Sequence, residues 1–304
     1  MATIPATFRT YRYAEHGSSA KVLQLHSDVP QVPLSASQLR VKVLSAALNP
    51  VDPSPFSIGF DGAGIIVEVG SAVEKLKVGD SVFFMTSFMT FGTFAEYIAA
   101  EQDYVACKPV GLSFDQAANV PLVLVEYSQL QKGERVLILG GSSAAGMYTI
   151  QIAKAIGAYV VATTNSRNSG FVKSFGADEL IDYTTTKWVG VLAPHSIDVL
   201  YDCGMEPDSW NTDAQQVFKK ETGCFVTLLS LSNPIEATFG AKLVGSILVY
   251  PSAKQLNELT KYIESGKLVT PIDSAYELEH VLDAIAKNKT RRARGKIVIK
   301  ITSE

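Results

Sequence analysis

The sequence predicts an α/β protein in which a doubly wound parallel sheet is joined to a separate β-rich domain. Three observations predict this class. Short strand-like runs broken by Gly, Pro and Ser fill the first third of the chain. From about Gly133 onward, strand-like and helix-like segments alternate, and a glycine-rich turn follows the first of these strands. The length of 304 residues favours two domains over one.

Composition and charge narrow the class of protein further. Hydrophobic residues make up 47% of the chain and charged residues 19%, which indicates a folded globular protein. The net charge of −3 provides no general attraction to nucleic acid or to an anionic membrane. The long uncharged run Val136–Ala153 has Gly-Gly-Ser-Ser near its centre, which is typical of a turn and not of a membrane span. We therefore expect neither nucleic acid nor membrane as a partner.

The cysteines indicate a reducing compartment. Cys107, Cys203 and Cys224 lie far apart and form no Cys-x-x-Cys motif. No targeting segment is evident at the amino terminus. The expected location is the cytoplasm.

The first third of the chain contains several short β-type runs. Their spacing predicts a compact, barrel-like unit. The clearest of them are Leu39–Leu44, Ile65–Val69, Ser81–Phe84 and Ala95–Ala99.

The middle of the chain predicts a parallel sheet. Its strands are almost continuously apolar and helices separate them, as expected for a sheet that is buried on both faces. The predicted strands are Arg135–Leu139, Tyr159–Thr164, Glu179–Ile181, Asp198–Tyr201 and Phe225–Leu229, and the predicted helices are Met147–Ile156 and Ser169–Phe175.

The last part of the chain is expected to return to the first domain. We predict one domain from residues 1–122 and 266–304, and a second from residues 123–265. An exposed edge strand near Leu243–Val249 makes a homodimer the expected assembly. The predicted tail elements are the helix Lys254–Ser265, the connection Gly266–Asp273, the helix Leu278–Ala286 and the strand Lys296–Ile301.

The glycine turn is the strongest local signal for function. It joins the strand ending at Leu139 to a helix, and small residues there let backbone N–H groups approach a pyrophosphate. The helix N-terminus adds a partial positive charge. A turn of this kind can also do no more than join a strand to a helix. The residues expected to bind a dinucleotide here are Gly140, Gly141, Ser142, Ser143, Ala144, Ala145 and Gly146.

The end of the second predicted strand favours NADPH over NADH. No Asp or Glu occurs between Gly140 and Ala177, so no carboxylate in this stretch would accept hydrogen bonds from the ribose hydroxyls. Thr164, Ser166 and Arg167 stand at the strand end instead. A serine can donate a hydrogen bond to the 2′-phosphate, and an arginine can pair with it. The alternative is that Arg167 is a solvated surface residue.

Seven segments in order along the chain resemble the medium-chain dehydrogenase/reductase superfamily, and most closely its zinc-independent quinone oxidoreductase and enone reductase branch. The resemblance implies a GroES-like β-rich domain and a Rossmann domain, with NADPH as cofactor and hydride transfer to quinones or α,β-unsaturated carbonyls. The segments are Asn49–Asp52, Gly59–Gly64, Val78–Val82, Gly92–Tyr97, Gly140–Gly146, Phe175–Asp178 and Gly295–Val298.

The same resemblance implies further cofactor contacts. Tyr183 would join Ser166 and Arg167 around the 2′-phosphate, although it can equally be a surface tyrosine. The backbone near Leu229, Leu248 and Tyr250 would hold the carboxamide and ribose, and Lys296 would lie near the cofactor phosphates.

On the substrate side, the resemblance implies that Asn49 faces the nicotinamide and substrate and acts at the reacting centre. The alternative is a turn-capping asparagine before Pro50. We expect Asp52, Phe88 and Phe91 to line the substrate site with Asn49. The uncharged segment Val82–Phe94 can form a flexible apolar wall for a planar substrate, or simply a buried strand pair.

No metal is expected. Zinc-dependent relatives need Cys, His and acidic ligands together. The four histidines are scattered, and none is spaced from a cysteine as a ligand pair would be; they are His16, His26, His195 and His280. A quinone or enone can accept hydride without a metal if its developing oxyanion receives hydrogen bonds. The proton can come from solvent or from a tyrosine.

Two other functions are compatible with the sequence. The first is a trans-acting enoyl reductase that acts on acyl thioesters. The second is an NADPH-binding regulatory protein with little turnover, for which the basic cluster Lys287–Lys296 would bind RNA.

Two joins in the chain are shorter than the family pattern. They lie at Asp52–Pro53 and within Pro121–Glu126, where the resemblance implies walls of the active-site cleft. Either residues were deleted there and the pocket is more open, or loop residues are missing from the recorded sequence. We favour missing loops, because deleting two cleft walls while keeping the cofactor site would be an odd outcome.

Overall fold

The chain forms two compact units in a computed structural model that describes residues 3–13, 22–50, 58–87, 92–120, 129–245, 247 and 249–303. The first unit comprises Met1–Leu122 and Tyr250–Glu304, and the second comprises Val123–Val249. Residues 250–265, which we expected in the second domain, therefore lie in the first unit. Within the described ranges, no helix has the length and apolar character needed to cross a membrane.

A largely antiparallel sheet forms the centre of the first unit. Its strand order is β14-β15-β3-β4-β5-β7, and β6 also pairs with β3. β15 pairs antiparallel with β3, so the tail of the chain contributes to this sheet. A separate antiparallel pair joins β1 to β2. The strands are β1 (Thr7–Tyr13), β2 (Leu23–Pro30), β3 (Gln38–Leu48), β4 (Asp61–Val69), β5 (Ser81–Met85), β6 (Tyr97–Glu101), β7 (Val105–Cys107), β14 (Ile272–Glu277) and β15 (Lys296–Lys300).

Apolar residues from these strands form the core of the first unit. Val41 and Val43 of β3 are fully buried, and Phe84 of β5 and Phe94 pack in the same cluster. For this part of Val82–Phe94 the structure favours a buried core over an exposed apolar wall. The helices of this unit are α1 (Phe114–Ala118), α5 (Ala253–Glu264) and α6 (Val281–Lys289).

The second unit is a doubly wound parallel sheet, which confirms the predicted fold class. Its strand order is β10-β9-β8-β11-β12-β13, and every neighbouring pair is parallel. The strands are β8 (Arg135–Leu139), β9 (Tyr159–Thr164), β10 (Glu179–Asp182), β11 (Val199–Asp202), β12 (Cys224–Thr227) and β13 (Lys242–Val244), and the helices are α2 (Ala144–Ile156), α3 (Ser169–Ser174) and α4 (Ala214–Val217).

The strand order of the second unit indicates where a ligand is expected to bind. It runs outward in both directions from β8 and β11, so the chain reverses direction across the sheet between these two strands. In open α/β sheets, ligands bind outside the carboxyl ends of the strands at such a point. The glycine turn follows β8 at this position.

Candidate active site

The glycine turn is held against the end of β9. The Gly140 N–H donates to the Thr163 hydroxyl at 2.9 Å, and the Gly141 N–H donates to the Thr163 carbonyl at 2.8 Å. Gly140 has φ of +69°, and a Cβ there would lie 2.7 Å from the Gly204 Cα. Because side chains are excluded by both conformation and space, glycine is needed at position 140.

The first turn of α2 is shaped for an anion. The Ser143 hydroxyl caps the helix by accepting from the Gly146 N–H at 3.0 Å and donates to the Cys203 carbonyl at 3.1 Å. Ser143 is therefore a helix cap, and its hydroxyl already has two partners. The N–H groups of Ala144 and Ala145 begin the helix and have no partner within it. The first turn carries no acidic residue. These features favour binding of a phosphate group.

The predicted adenosine residues lie together at the ends of β9 and β10. Asp182 pairs with Thr164 in register, and the Tyr183 N–H donates to the Thr164 carbonyl at 3.1 Å. Ser166 and Arg167 lie in the short 3-10 turn that follows β9. The Asn165 amide, which the sequence analysis did not single out, contacts the Tyr183 hydroxyl at 3.3 Å. The Thr164 hydroxyl is buried without a hydrogen-bond partner among the described residues.

One acidic side chain also reaches this end of the sheet. Asp182 accepts hydrogen bonds from the Thr184 hydroxyl at 2.6 Å and the Thr184 N–H at 2.9 Å. These bonds, with a further one from the Ser166 N–H, lower the pKa of Asp182. The absence of acids within 140–177 thus does not make the strand end acid-free, because the neighbouring strand supplies a carboxylate.

A second carboxylate organises the loops after β11 and β12. Asp202 is buried and accepts from the Glu206 N–H at 2.7 Å and from the Thr227 hydroxyl at 2.9 Å. Burial raises the pKa of Asp202, while backbone N–H groups of the same loop, at Gly204 and Met205, oppose that rise. The sequence analysis did not identify Asp202, although its place at the end of a central strand was a usable signal.

The residues expected to hold the carboxamide and ribose are only partly described. The Leu229 N–H donates to the Thr227 hydroxyl at 3.2 Å, so Thr227 holds the start of this loop as well. β12 ends at Thr227 and not at Leu229 as predicted. Tyr250 belongs to the first unit and is 65% exposed.

Asn49 and Lys296 lie together in the first unit, with Asp61 as a third member. The Lys296 ammonium donates to the Asn49 amide oxygen and, at 3.1 Å, to the Asp61 carboxylate. The Asn49 amide N–H donates to the same carboxylate at 2.8 Å. Lys296 is 2% exposed. The structure therefore shows Lys296 engaged with these side chains, where the resemblance implied a place beside cofactor phosphates.

Four of the predicted site residues lie outside the described residues: Asp52, Phe88, Phe91 and Leu248. The two short joins, at Asp52–Pro53 and within Pro121–Glu126, lie outside them too. Across the described ranges, no three His, Cys, Asp or Glu side chains are grouped as metal ligands.

The second unit fits a dinucleotide. The glycines leave room for a close approach, the α2 N-terminus attracts a phosphate, and the strand order puts both at the switch point of the sheet. A parallel sheet of this order with such a turn, in a chain that also forms a β-rich unit, is typical of nicotinamide-dependent oxidoreductases.

Known proteins are similar to this chain over nearly its whole length. Residues 35–110 match the alcohol dehydrogenase GroES-like domain, and residues 175–299 match the zinc-binding dehydrogenase family. The 2-methylene-furan-3-one reductase of Solanum lycopersicum is 35% identical over 326 residues, covering 98% of this chain and 80% of the relative. The chloroplastic NADPH-dependent alkenal/one oxidoreductase of Arabidopsis thaliana is 33% identical and covers 98% and 81%.

A solved structure of a known protein has a similar fold. The quinone oxidoreductase from Coxiella burnetii superposes with a TM-score of 0.83 at 26% identity, covering 97% of this chain and 99% of the other. The chain belongs to the quinone oxidoreductase and enone reductase branch of the medium-chain dehydrogenase/reductase superfamily. The alignment with the tomato relative spans 326 residues and is longer than this chain of 304, so the relative carries residues that this chain lacks.

Proposed function

We propose that the protein uses NADPH to reduce the carbon–carbon double bond of α,β-unsaturated carbonyl compounds, or quinones. The names of the two plant relatives support this reaction class. The observation that carries the choice of NADPH is the polar and cationic group at the ends of β9 and β10. Ser166 and Arg167 follow β9 there and Tyr183 follows the paired strand β10, next to Thr164 with its buried hydroxyl.

Two places in the second unit hold the cofactor in this proposal. The N–H groups at the start of α2 and the glycine turn receive the pyrophosphate. Ser166 donates to the 2′-phosphate and Arg167 pairs with it, while Tyr183 covers the adenosine. The negative charge of Asp182 repels a phosphate. The NADPH preference therefore depends on the attraction of Arg167 for the 2′-phosphate being stronger than this repulsion.

Hydride transfer then requires stabilisation of negative charge on the substrate. When bound, the nicotinamide supplies the hydride. The carbonyl oxygen of an enone gains charge as its β-carbon accepts that hydride, and the α-carbon afterwards takes a proton from solvent. A hydrogen-bond donor near this oxygen lowers the barrier. Asn49, an amide held beside a buried ammonium, is our candidate for the polar contact at the reacting centre.

A panel of acceptors tests the proposal. The purified protein is mixed with NADPH or NADH and with a small enone, a quinone or an enoyl thioester, and the loss of cofactor absorbance is followed. We expect turnover with enone or quinone and a preference for NADPH. Turnover with the thioester alone would select the trans-acting enoyl reductase. Equal rates with both cofactors would contradict the NADPH assignment.

Metal-independence, assembly and location stay predictions. Turnover should survive dialysis against a chelator if no zinc takes part. Light scattering of the purified protein should give twice the mass of one chain if the exposed edge strand β13 pairs two copies. A fluorescent fusion should distribute through the cytoplasm.

A further inference from the structure

Asn49, Asp61 and Lys296 form a cluster at the ends of three neighbouring strands in the first unit's sheet. β15, β3 and β4 are neighbouring strands, with Ile297 opposite Leu48 and Ala47 opposite Asp61. The strand register therefore brings the start of β15, the residue after β3 and the start of β4 to the same place. The three side chains meet because of the fold and not because they are close in sequence.

The contacts determine how the Asn49 amide is oriented. Its oxygen accepts from the Lys296 ammonium, and its N–H donates to the Asp61 carboxylate at 2.8 Å. The reverse orientation would set the amide N–H groups against the ammonium and the amide oxygen against the carboxylate. The charged pair thus allows one orientation only. A further bond from the Asn288 amide to the Asn49 carbonyl, at 3.3 Å, holds the backbone.

Burying the two charged side chains of this cluster is energetically unfavourable. Lys296 and Asp61 are 2% and 5% exposed, in a sheet whose other buried positions are mostly apolar. Moving a lysine and a carboxylate out of water is unfavourable unless their contacts compensate. Replacing a buried ion pair by apolar residues is often neutral or stabilising, so packing alone does not account for this charged pair.

We infer that Lys296, together with Asp61, is a positioning residue for Asn49 and not a ligand of the cofactor phosphates. The ammonium and the carboxylate hold the Asn49 amide in the orientation required at the reacting centre. The ammonium also draws electron density toward the amide oxygen, which polarises the Asn49 amide in this orientation. The inference rests on the role proposed for Asn49 above, and it adds the residues through which that role is maintained.

Substitution of Lys296 distinguishes a residue that positions Asn49 from a residue that binds the cofactor phosphates. Lys296→Met removes the charge at similar volume, and Lys300→Met at the exposed end of the same strand is the matched control. For each variant we would measure the NADPH dissociation constant by fluorescence titration, and kcat and KM with the best acceptor. For Lys296→Met we expect an NADPH dissociation constant close to that of the unmodified protein and a kcat lower by about 10- to 100-fold. Lys300→Met should change neither quantity.

A double variant tests whether Lys296 acts through Asn49. Asn49→Ala should lower kcat by a comparable factor, and Asn49→Ala with Lys296→Met should lower it little further, because both changes remove the same contact. Lys296→Arg keeps the charge and should recover part of the lost kcat. Factors that simply multiply in the double variant would mean that the two residues act independently.

Two results would overturn the inference. One is a large loss of NADPH affinity in Lys296→Met with kcat unchanged at saturating cofactor, as expected for a phosphate ligand. The other is an unchanged kcat. If Lys296→Met does not fold because Asp61 is left with an unpaired charge, Lys296→Met with Asp61→Asn removes both charges and permits the same measurements. A failure of the proposed function is distinguishable, since the unmodified protein would then turn over no acceptor, whereas the titration needs no turnover.

Discussion

The carboxylate of Asp202, at the end of β11, accepts a hydrogen bond from the hydroxyl of Thr227, at the end of β12, at 2.9 Å. The same carboxylate accepts from the Glu206 N–H, and the Thr227 hydroxyl accepts from the Leu229 N–H. One contact therefore joins the two loops that leave neighbouring strands at the edge where a cofactor is expected.

Replacing Thr227 by valine should destabilise the protein in a pH-dependent way. A fully buried hydroxyl is lost and the buried carboxylate loses a donor, at a cost of about 1–3 kcal/mol. Burial raises the pKa of Asp202 above its ordinary value. Stability associated with such a group is present below its unfolded pKa, about 4, and is lost as the pH rises through the folded pKa.

Losing the Thr227 donor raises the pKa of Asp202 further, so the destabilisation should be larger near neutral pH than in acid. Urea unfolding at several pH values measures this difference. Thr186→Val, at an exposed threonine, is the control. A loss of stability that is the same at every pH would show that the hydroxyl does not interact with the ionised carboxylate.

Arg167→Ala should reduce the preference for NADPH. If the guanidinium pairs with the 2′-phosphate, its loss removes about 1.5–3 kcal/mol, or roughly 10- to 150-fold in affinity. The NADH dissociation constant should stay the same, because that cofactor has no phosphate there. Lys173→Ala is the matched control, since Lys173 is an exposed cation whose ammonium donates to the Asp178 carbonyl at 2.7 Å. Equal weakening of both cofactors would place Arg167 elsewhere.

Asp182→Asn should strengthen NADPH binding. The carboxylate is partly exposed and accepts from the Ser166 N–H, so it repels a phosphate in part through solvent, and its removal should tighten binding by about 2- to 5-fold. The gain should shrink as salt is added. Titration with both cofactors at two salt concentrations provides the measurement. A selective loss of NADH affinity would instead mean that Asp182 accepts hydrogen bonds from the ribose hydroxyls and that NADH is the natural cofactor.

Gly146→Ala should disrupt the start of α2. A Cβ at Gly146 would lie 2.2 Å from the Gly140 carbonyl oxygen, so the helix or the turn must move. We expect a loss of at least about 1–3 kcal/mol in stability and weaker binding of both cofactors. Gly170→Ala is the control, because no atom lies within 4 Å of a Cβ there and the position is helical. That change should stabilise by up to about 1 kcal/mol. Similar effects from the two substitutions would refute the tight packing at Gly146.

The three cysteines should differ in reactivity. Cys107 is exposed, whereas Cys203 and Cys224 are buried. Burial raises the pKa of the Cys203 thiol to about 12, so hardly any thiolate forms at neutral pH. A thiol reagent should therefore modify Cys107 first and reach the others after unfolding. Cys107→Ser should abolish the fast phase; a fast phase that persists would indicate that a buried cysteine becomes accessible.

The sequence predicted the second unit best where strands are buried and apolar. β8 and β9 have the predicted bounds, because each is a continuous apolar run ended by small or polar residues. β2 was missed because most of its side chains are exposed, so its sequence lacks the clear apolar alternation of a half-buried strand.

A candidate site can be read from the sequence where its residues are consecutive, but not where the sheet register assembles it. The glycine turn is read from neighbouring residues. Asp182 reaches Ser166, and Asp61 reaches Asn49, only because paired strands end at the same level. Such contacts depend on tertiary structure, which a local pattern does not contain. The role of Lys296 was assigned from resemblance alone, and its buried partners could not be known before the fold.

Thr163, the next-to-last residue of β9, accepts from the Gly140 N–H through its hydroxyl and from the Gly141 N–H through its carbonyl. The glycine turn is thus held by a residue of β9 and not by the 3-10 turn that follows this strand. If Ser166 and Arg167 bind the 2′-phosphate as proposed, residues 166–168 can be exchanged to alter the choice of cofactor while the glycine turn keeps its place.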